Sequence, residues 1–77
     1  MKAVHKPQYL QLGLKISYYR KLKGLTQEQL AERINCTPAF IGHVEAPNIS
    51  KAISMDTVFD IAAVLEIPAY KFLKFDD

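Results

Sequence analysis

The chain of 77 residues contains a single cysteine, no tryptophan and no long apolar run. Because Cys36 stands alone, a disulfide within the chain is excluded, and cysteine usage of this kind is typical of a reducing compartment. No apolar run approaches the roughly 18 residues that a membrane-spanning helix needs. The first residues also lack the pattern of a signal peptide. We therefore expect a cytoplasmic protein with no membrane partner.

Acidic residues are absent from the first 23 positions, which hold six of the ten lysines and arginines. All eight aspartates and glutamates come later in the chain. One part of the domain is therefore positive and suits contacts with phosphates, although a solvated helix face would give the same pattern. The net charge of +2 permits nucleic-acid binding without requiring it.

The side chains that enzymes use are also scarce, since the chain has two histidines and one cysteine. Cys36 and His43 are seven positions apart, but packing in the core is the better interpretation of Cys36. No CxxC or HxxxH spacing suggests zinc, and no glycine-rich loop is suited to phosphate. We expect no enzymatic activity, no cofactor, no metal and no small-molecule substrate.

Strand signals are nearly absent, so the sequence predicts an all-α domain. Helical spacing of apolar residues predicts five short helices around one core, over residues 9–75, after a flexible N-terminal tail at residues 1–8. The first helix is predicted from Tyr9 to about Lys23, and the fifth from Ala69 to about Lys74. The side chains predicted to cover the core from the fourth and fifth helices are Met55, Val58, Ile61, Ala62, Leu65, Ile67, Tyr70 and Leu73, with Phe72 as a further candidate.

The stretch from Thr26 to Glu45 predicts two short helices joined by a tight turn. Thr26 and Thr37 are predicted N-caps, and Pro38 suits the first position of the second of these helices. Asn35 tolerates the left-handed conformation that ends a helix. With only about three residues between them, the two helices are expected to cross steeply, as in a helix-turn-helix.

An ordered set of short motifs accompanies this stretch, from Leu12 to about Leu73. They are Leu12-Gly13, Ile16, Arg20, Gly24-Leu25-Thr26-Gln27, Leu30-Ala31, Thr37-Pro38, Phe40-Ile41, Val44-Glu45, Asp56-Thr57-Val58, Ile61-Ala62 and Leu65. In this set the chain resembles the Cro/phage-repressor-type family of helix-turn-helix DNA-binding domains. The resemblance implies a compact, five-helix, lambda-repressor-like domain in which helices two and three form the helix-turn-helix.

The resemblance also implies roles for particular residues. Arg20 and Glu45 match a pair that clamps the first helix to the third, and Gln27 matches a phosphate-binding glutamine. The third helix, at about residues 37–45, corresponds to the recognition helix that enters the major groove. With Phe40, Ile41 and Val44 turned inward, the residues expected to face DNA are Thr37, Pro38, Ala39, Gly42 and His43. Lys51 is the one charged residue of the following loop and is expected to contact DNA too.

Two functions remain open at this point. The first is a sequence-specific transcriptional regulator that binds double-stranded DNA as a homodimer, with Phe59, Tyr70, Phe72 and Phe75 as candidate dimer contacts. The second is an antitoxin-like protein-interaction module on the same scaffold, because the outward face of the recognition helix has no Arg, Lys, Gln or Asn. A monomer in which Phe75 and its neighbours cover Leu14 and Leu22 is the alternative to the dimer.

Overall fold

A computed structural model describes residues 5–75, and within this range the chain is all-helical. The elements are α1 (Lys6–Lys23), α2 (Gln27–Arg33), α3 (Pro38–Glu45), α4 (Met55–Leu65) and a C-terminal 3-10 helix (Ala69–Phe72). The predicted fifth α-helix is therefore a single 3-10 turn, which ends at Phe72 rather than Lys74. No helix among these residues is long and apolar enough to cross a membrane.

The first helix begins three residues before the predicted start at Tyr9. Pro7 lies in its first turn, where a proline is tolerated because the backbone N–H that it lacks would have no partner there. Residues 6–8 therefore belong to α1. Of the rest of the predicted tail, His5 is the N-cap of α1, and residues 1–4 lie outside the described residues.

The two predicted N-caps and the N-cap of α4 adopt the same geometry. Thr26, Thr37 and Ser54 each have an extended backbone, and each side-chain oxygen accepts a hydrogen bond from the N–H three residues later. At α2 the bond is reciprocal, because the Gln29 side chain accepts from the Thr26 N–H at 2.8 Å. This capping box fixes the start of α2, which is the first of the two helices predicted to form the helix-turn-helix.

Three helices end in the same hydrogen-bonded motif. Gly24, Asn35 and Glu66 follow α1, α2 and α4 with φ angles of 83°, 60° and 59°. Beyond each of them, the next N–H bonds back five residues, as in Cys36 to the Ala31 carbonyl at 2.9 Å. Glycine suits the left-handed conformation best, so Glu66 accepts strain at its position. Its carboxylate pairs with Lys23, which lowers the pKa of Glu66 and joins the ends of α1 and α4.

The core lies between α1, α2, α3 and α4 and is closed by the 3-10 helix. Phe72 is fully buried and meets Tyr19 edge-on, with 5.2 Å between ring centroids. The predictions for Met55, Tyr70 and Leu73 are wrong, since all three side chains are exposed. A 3-10 helix has three residues per turn, so Ala69 and Phe72 share the inward face while Tyr70 and Leu73 share another. The fully or largely buried apolar residues are Leu12, Ile16, Leu25, Leu30, Ala31, Ile41, Val44, Val58, Ile61, Ala62, Leu65 and Phe72.

A glycine within α1 allows the closest approach of two helices. A Cβ atom on Gly13 would overlap the carbonyl oxygen of Val44, one residue before Glu45. Glycine inside a helix is unfavourable by roughly 0.5–1 kcal/mol relative to alanine, so its presence needs a compensating contact. The close packing of α1 on α3 is that contact, and it sets the position of α3.

Gly13→Ala should therefore destabilise the domain, by about 1–3 kcal/mol or more, because the backbone of α3 must move. Gly42→Ala is the matched control. Its added Cβ would meet only the Gln27 side-chain oxygen at 3.6 Å, so improved helix propensity should raise stability by roughly 0.5–1 kcal/mol. Urea unfolding of both variants measures the difference. Equal changes in the two variants would contradict the close α1–α3 contact.

Candidate nucleic-acid interface

Helices α2 and α3 form a compact unit with a turn of four residues, Ile34 to Thr37, between them. The left-handed Asn35 reverses the chain, and Thr37 at once caps α3. Leu30 and Ala31 of α2 and Ile41 and Val44 of α3 are buried in the common core. The opposite side of α3 is consequently left facing solvent.

The carboxyl end of α3 is fixed to α1 by a buried ion pair. The Arg20 Nε and Nη2 atoms donate to the two Glu45 carboxylate oxygens at 2.7 and 2.9 Å. The third nitrogen, Nη1, donates to the Leu25 carbonyl at 2.6 Å. Both charged residues are only 7% exposed. The guanidinium thus holds α3 and the start of α2 together through a two-pronged contact of fixed geometry.

The same carboxylate also holds Gln27. The Gln27 Nε2 atom donates to Glu45 Oε1 at 3.0 Å, so the side chain extends from the start of α2 across to α3. Its carbonyl oxygen lies beside Gly42. One of the two amide hydrogens is used by Glu45, which leaves the other for a further acceptor. Arg20, Glu45 and Gln27 form one network, which we call the clamp network.

The outward face of α3 is small and apolar at its amino end. Thr37, Pro38, Ala39 and His43 are exposed, and Gly42 is half-buried beneath Gln27. The Thr37 hydroxyl and carbonyl oxygens accept hydrogen bonds from backbone N–H groups in the first turn of α3, at 3.1–3.3 Å, and so cap the helix. Such a face permits close approach of a groove, and methyl groups at Thr37 and Ala39 suit contact with a thymine methyl. His43 is the one polar ring on this face.

The loop after α3 brings one cation close to this surface. Ala46 takes an extended backbone, as the residue before Pro47 must, and this ends α3 at Glu45. Lys51 further along the loop places its amine 5.8 Å from the centroid of the Phe40 ring. Lys51 is therefore positioned beside α3, and the cation–π contact holds its stem there.

Cys36 lies in the turn between α2 and α3 and is half-buried against the core, whereas His43 is exposed. Burial raises the pKa of its thiol, so the sulfur is a neutral thiol near pH 7. Among residues 5–75, no three His, Cys, Asp or Glu side chains are grouped closely enough to hold a metal ion.

Two contacts of this region were not predicted from the sequence, the bond of Gln27 to Glu45 and the close approach of Gly13 to Val44. The bond between Gln27 and Glu45 joins side chains 18 positions apart, and no periodicity signals it. Gly13 did carry a signal, because a glycine in the interior of a helix is unfavourable and requires a structural reason. Its proximity to Val44 gives that reason and explains how α3 is seated.

The comparison with protein families agrees with this geometry. A family model described as helix-turn-helix, of the Cro/C1 type, matches residues 16–72, which include α2, α3 and both ends of the Arg20–Glu45 pair. The chain belongs to the Cro/C1-type helix-turn-helix family. The predicted family resemblance is therefore confirmed. No protein among the curated sequences matches this helix-turn-helix chain.

Proposed function

We propose that this helix-turn-helix domain binds double-stranded DNA sequence-specifically, with α3 in the major groove, and thereby regulates transcription. Family membership supports DNA binding in general. The observation that carries the proposal further is the pairing of an exposed, small-residue face on α3 with a clamp network that fixes the helix behind it. A recognition helix must be rigid, since its side chains have to meet base edges in one register.

In this proposal the residues divide into two roles. Gln27, with its free amide hydrogen, and Lys51 contact backbone phosphates and position the domain. Thr37, Pro38, Ala39 and His43 face the base edges, where methyl contacts and one imidazole provide the discrimination. Arg20 and Glu45 do not touch DNA and act by orienting α3 and Gln27.

A single domain of this size covers one half-site, so we further propose a homodimer on two half-sites about one helical turn apart. The expected place of action is the cytoplasm, and the proposal assigns no catalytic role, cofactor or metal. Phe72, one of the candidate dimer contacts, is fully buried in the monomer and is withdrawn from that role. Phe59 and Tyr70 are exposed and remain available.

A protein-interaction module is the second candidate, because one specific observation favours it. The exposed face of α3 contains none of the Arg, Lys, Gln or Asn side chains that read bases through two hydrogen bonds. Such a face is less suited to polar base recognition than to apolar contact with a protein.

Selection from a pool of random duplexes distinguishes the two candidates. The DNA-binding proposal expects enrichment of one recurring motif, arranged as two inverted half-sites whose centres are about 10 base pairs apart. The Gln27→Ala variant should select the same motif with weaker binding on every sequence, because a phosphate contact carries no base preference. A pool that shows no recurring motif after several rounds would favour the protein-interaction module.

A further inference from the structure

The side of α1 that is turned away from the core carries a second apolar stripe. Leu14, Tyr18 and Leu22 lie at four-residue spacing and are 53%, 60% and 67% exposed. At helical spacing, Lys15 borders this stripe on one side and Lys21 on the other. α1 contains no acidic residue. The outer face of α1, defined by these five residues, is thus apolar with a purely positive border.

The outer face of α4 has the complementary character. Met55, Phe59 and Ala63 also lie at four-residue spacing and are exposed, with Phe59 half-exposed at 52%. Asp56 and Asp60 border this stripe, and α4 contains no basic residue. The outer face of α4, defined by these five residues, is thus apolar with a negative border.

Neither stripe is covered by the described part of the chain. Phe75, which was considered as a cover for Leu14 and Leu22, instead lies in a cleft with Tyr9 and Leu12 at the other end of α1. Exposed apolar stripes on two helices of so small a domain are typical of surfaces that associate.

We propose that the occupant is a second copy of this chain, with the outer face of α1 in one copy packed on the outer face of α4 in the other. Pairing α1 with α1 would bring lysines together, and pairing α4 with α4 would bring aspartates together. Only the crossed pairing buries both apolar stripes and sets a lysine at the border of α1 against Asp56 and Asp60, which lie together on one side of the α4 stripe. The inference specifies how the homodimer of the proposed function is built, and it leaves α3 free for DNA.

Crossed pairing predicts a result that contact between two identical faces, α1 with α1 or α4 with α4, cannot give. Tyr18→Glu repels the acidic face of α4, and Phe59→Lys repels the basic face of α1, while both new residues keep good helix propensity. Each variant alone should stay at the monomer mass of 8.7 kDa under conditions where the wild type sediments toward twice that mass. An equimolar mixture of the two should associate again, because each supplies the intact face that the other lacks.

Sedimentation equilibrium at tens of micromolar, without DNA, performs this test independently of the proposed function. Glu32→Lys, an exposed charge reversal on α2, is the control and should associate like the wild type. Circular dichroism checks that each variant is folded. A wild type that is monomeric at every concentration overturns the proposal. So does a wild type that associates while the mixture of the two folded variants remains monomeric.

Discussion

Arg20→Ala is expected to destabilise the domain by about 3–5 kcal/mol, because it leaves the Glu45 carboxylate buried without its cation. The Leu25 carbonyl and Gln27 lose ordered neighbours at the same time. For a domain of this size, each kilocalorie moves the midpoint of thermal unfolding by roughly 4–8 °C. The variant should therefore melt more than about 10 °C below the wild type, or be unfolded at room temperature.

Two further variants separate the ion pair from general effects of mutation. Arg33→Ala removes an exposed arginine of α2 that lies outside the clamp network and both outer faces, so its midpoint should change little. The double variant Arg20→Met/Glu45→Leu replaces both buried charges by apolar groups and should recover most of the lost stability. If Arg20→Ala melts like Arg33→Ala, the buried guanidinium does not stabilise the domain.

Ala39→Glu is expected to abolish specific binding to the selected DNA duplex while leaving the fold intact. Ala39 is exposed on the amino-terminal half of α3, so in the proposed complex a carboxylate there would enter the major groove beside the phosphates. His43→Glu on the same face should have the same effect. The expected loss is at least about a thousandfold, which is the usual lower margin between specific and non-specific binding.

Gln8→Glu is the matched control, since it adds the same charge at an exposed position near the start of α1, outside α2, α3 and the two outer faces proposed to form the dimer. Its affinity for the selected duplex should remain within a few-fold of the wild type. Fluorescence anisotropy on one labelled duplex compares all three variants, and thermal unfolding shows that each is folded. Full affinity of both α3 variants for the duplex would contradict the proposal that α3 enters the major groove.

The parts of the fold that depend on local chemistry were predictable from the sequence. Thr26, Thr37 and Ser54 act as N-caps because a short hydroxyl side chain reaches the N–H three residues on, whatever the surrounding fold. Gly24 and Asn35 end helices because they tolerate a positive φ angle. The carboxylate of Glu45 was assigned to Arg20 through family resemblance, and the structure joins the two.

Other features could not be predicted from the sequence, because they depend on residues that become neighbours only in the folded chain. Met55 has the right spacing for the core, yet it lies in the first turn of α4, at the rim of an open cleft beside Tyr9 and Phe75. Glu66 occupies the place of the usual glycine, and its left-handed backbone is stabilised by the same hydrogen bonds as the other helix ends. The attachment of Gln27 to Glu45 follows only from the packing of α2 on α3.

The dependence of duplex affinity on salt tests the central proposal most directly. The full chain is titrated with the selected duplex and with a base-scrambled duplex of the same length, at several salt concentrations. We predict that log Kd rises linearly and steeply with log salt for both duplexes, because phosphate contacts release counterions. At each salt concentration the selected duplex should bind at least about a thousandfold more tightly. Equal affinity for the two duplexes, or affinity that does not respond to salt, would contradict sequence-specific DNA binding by this domain.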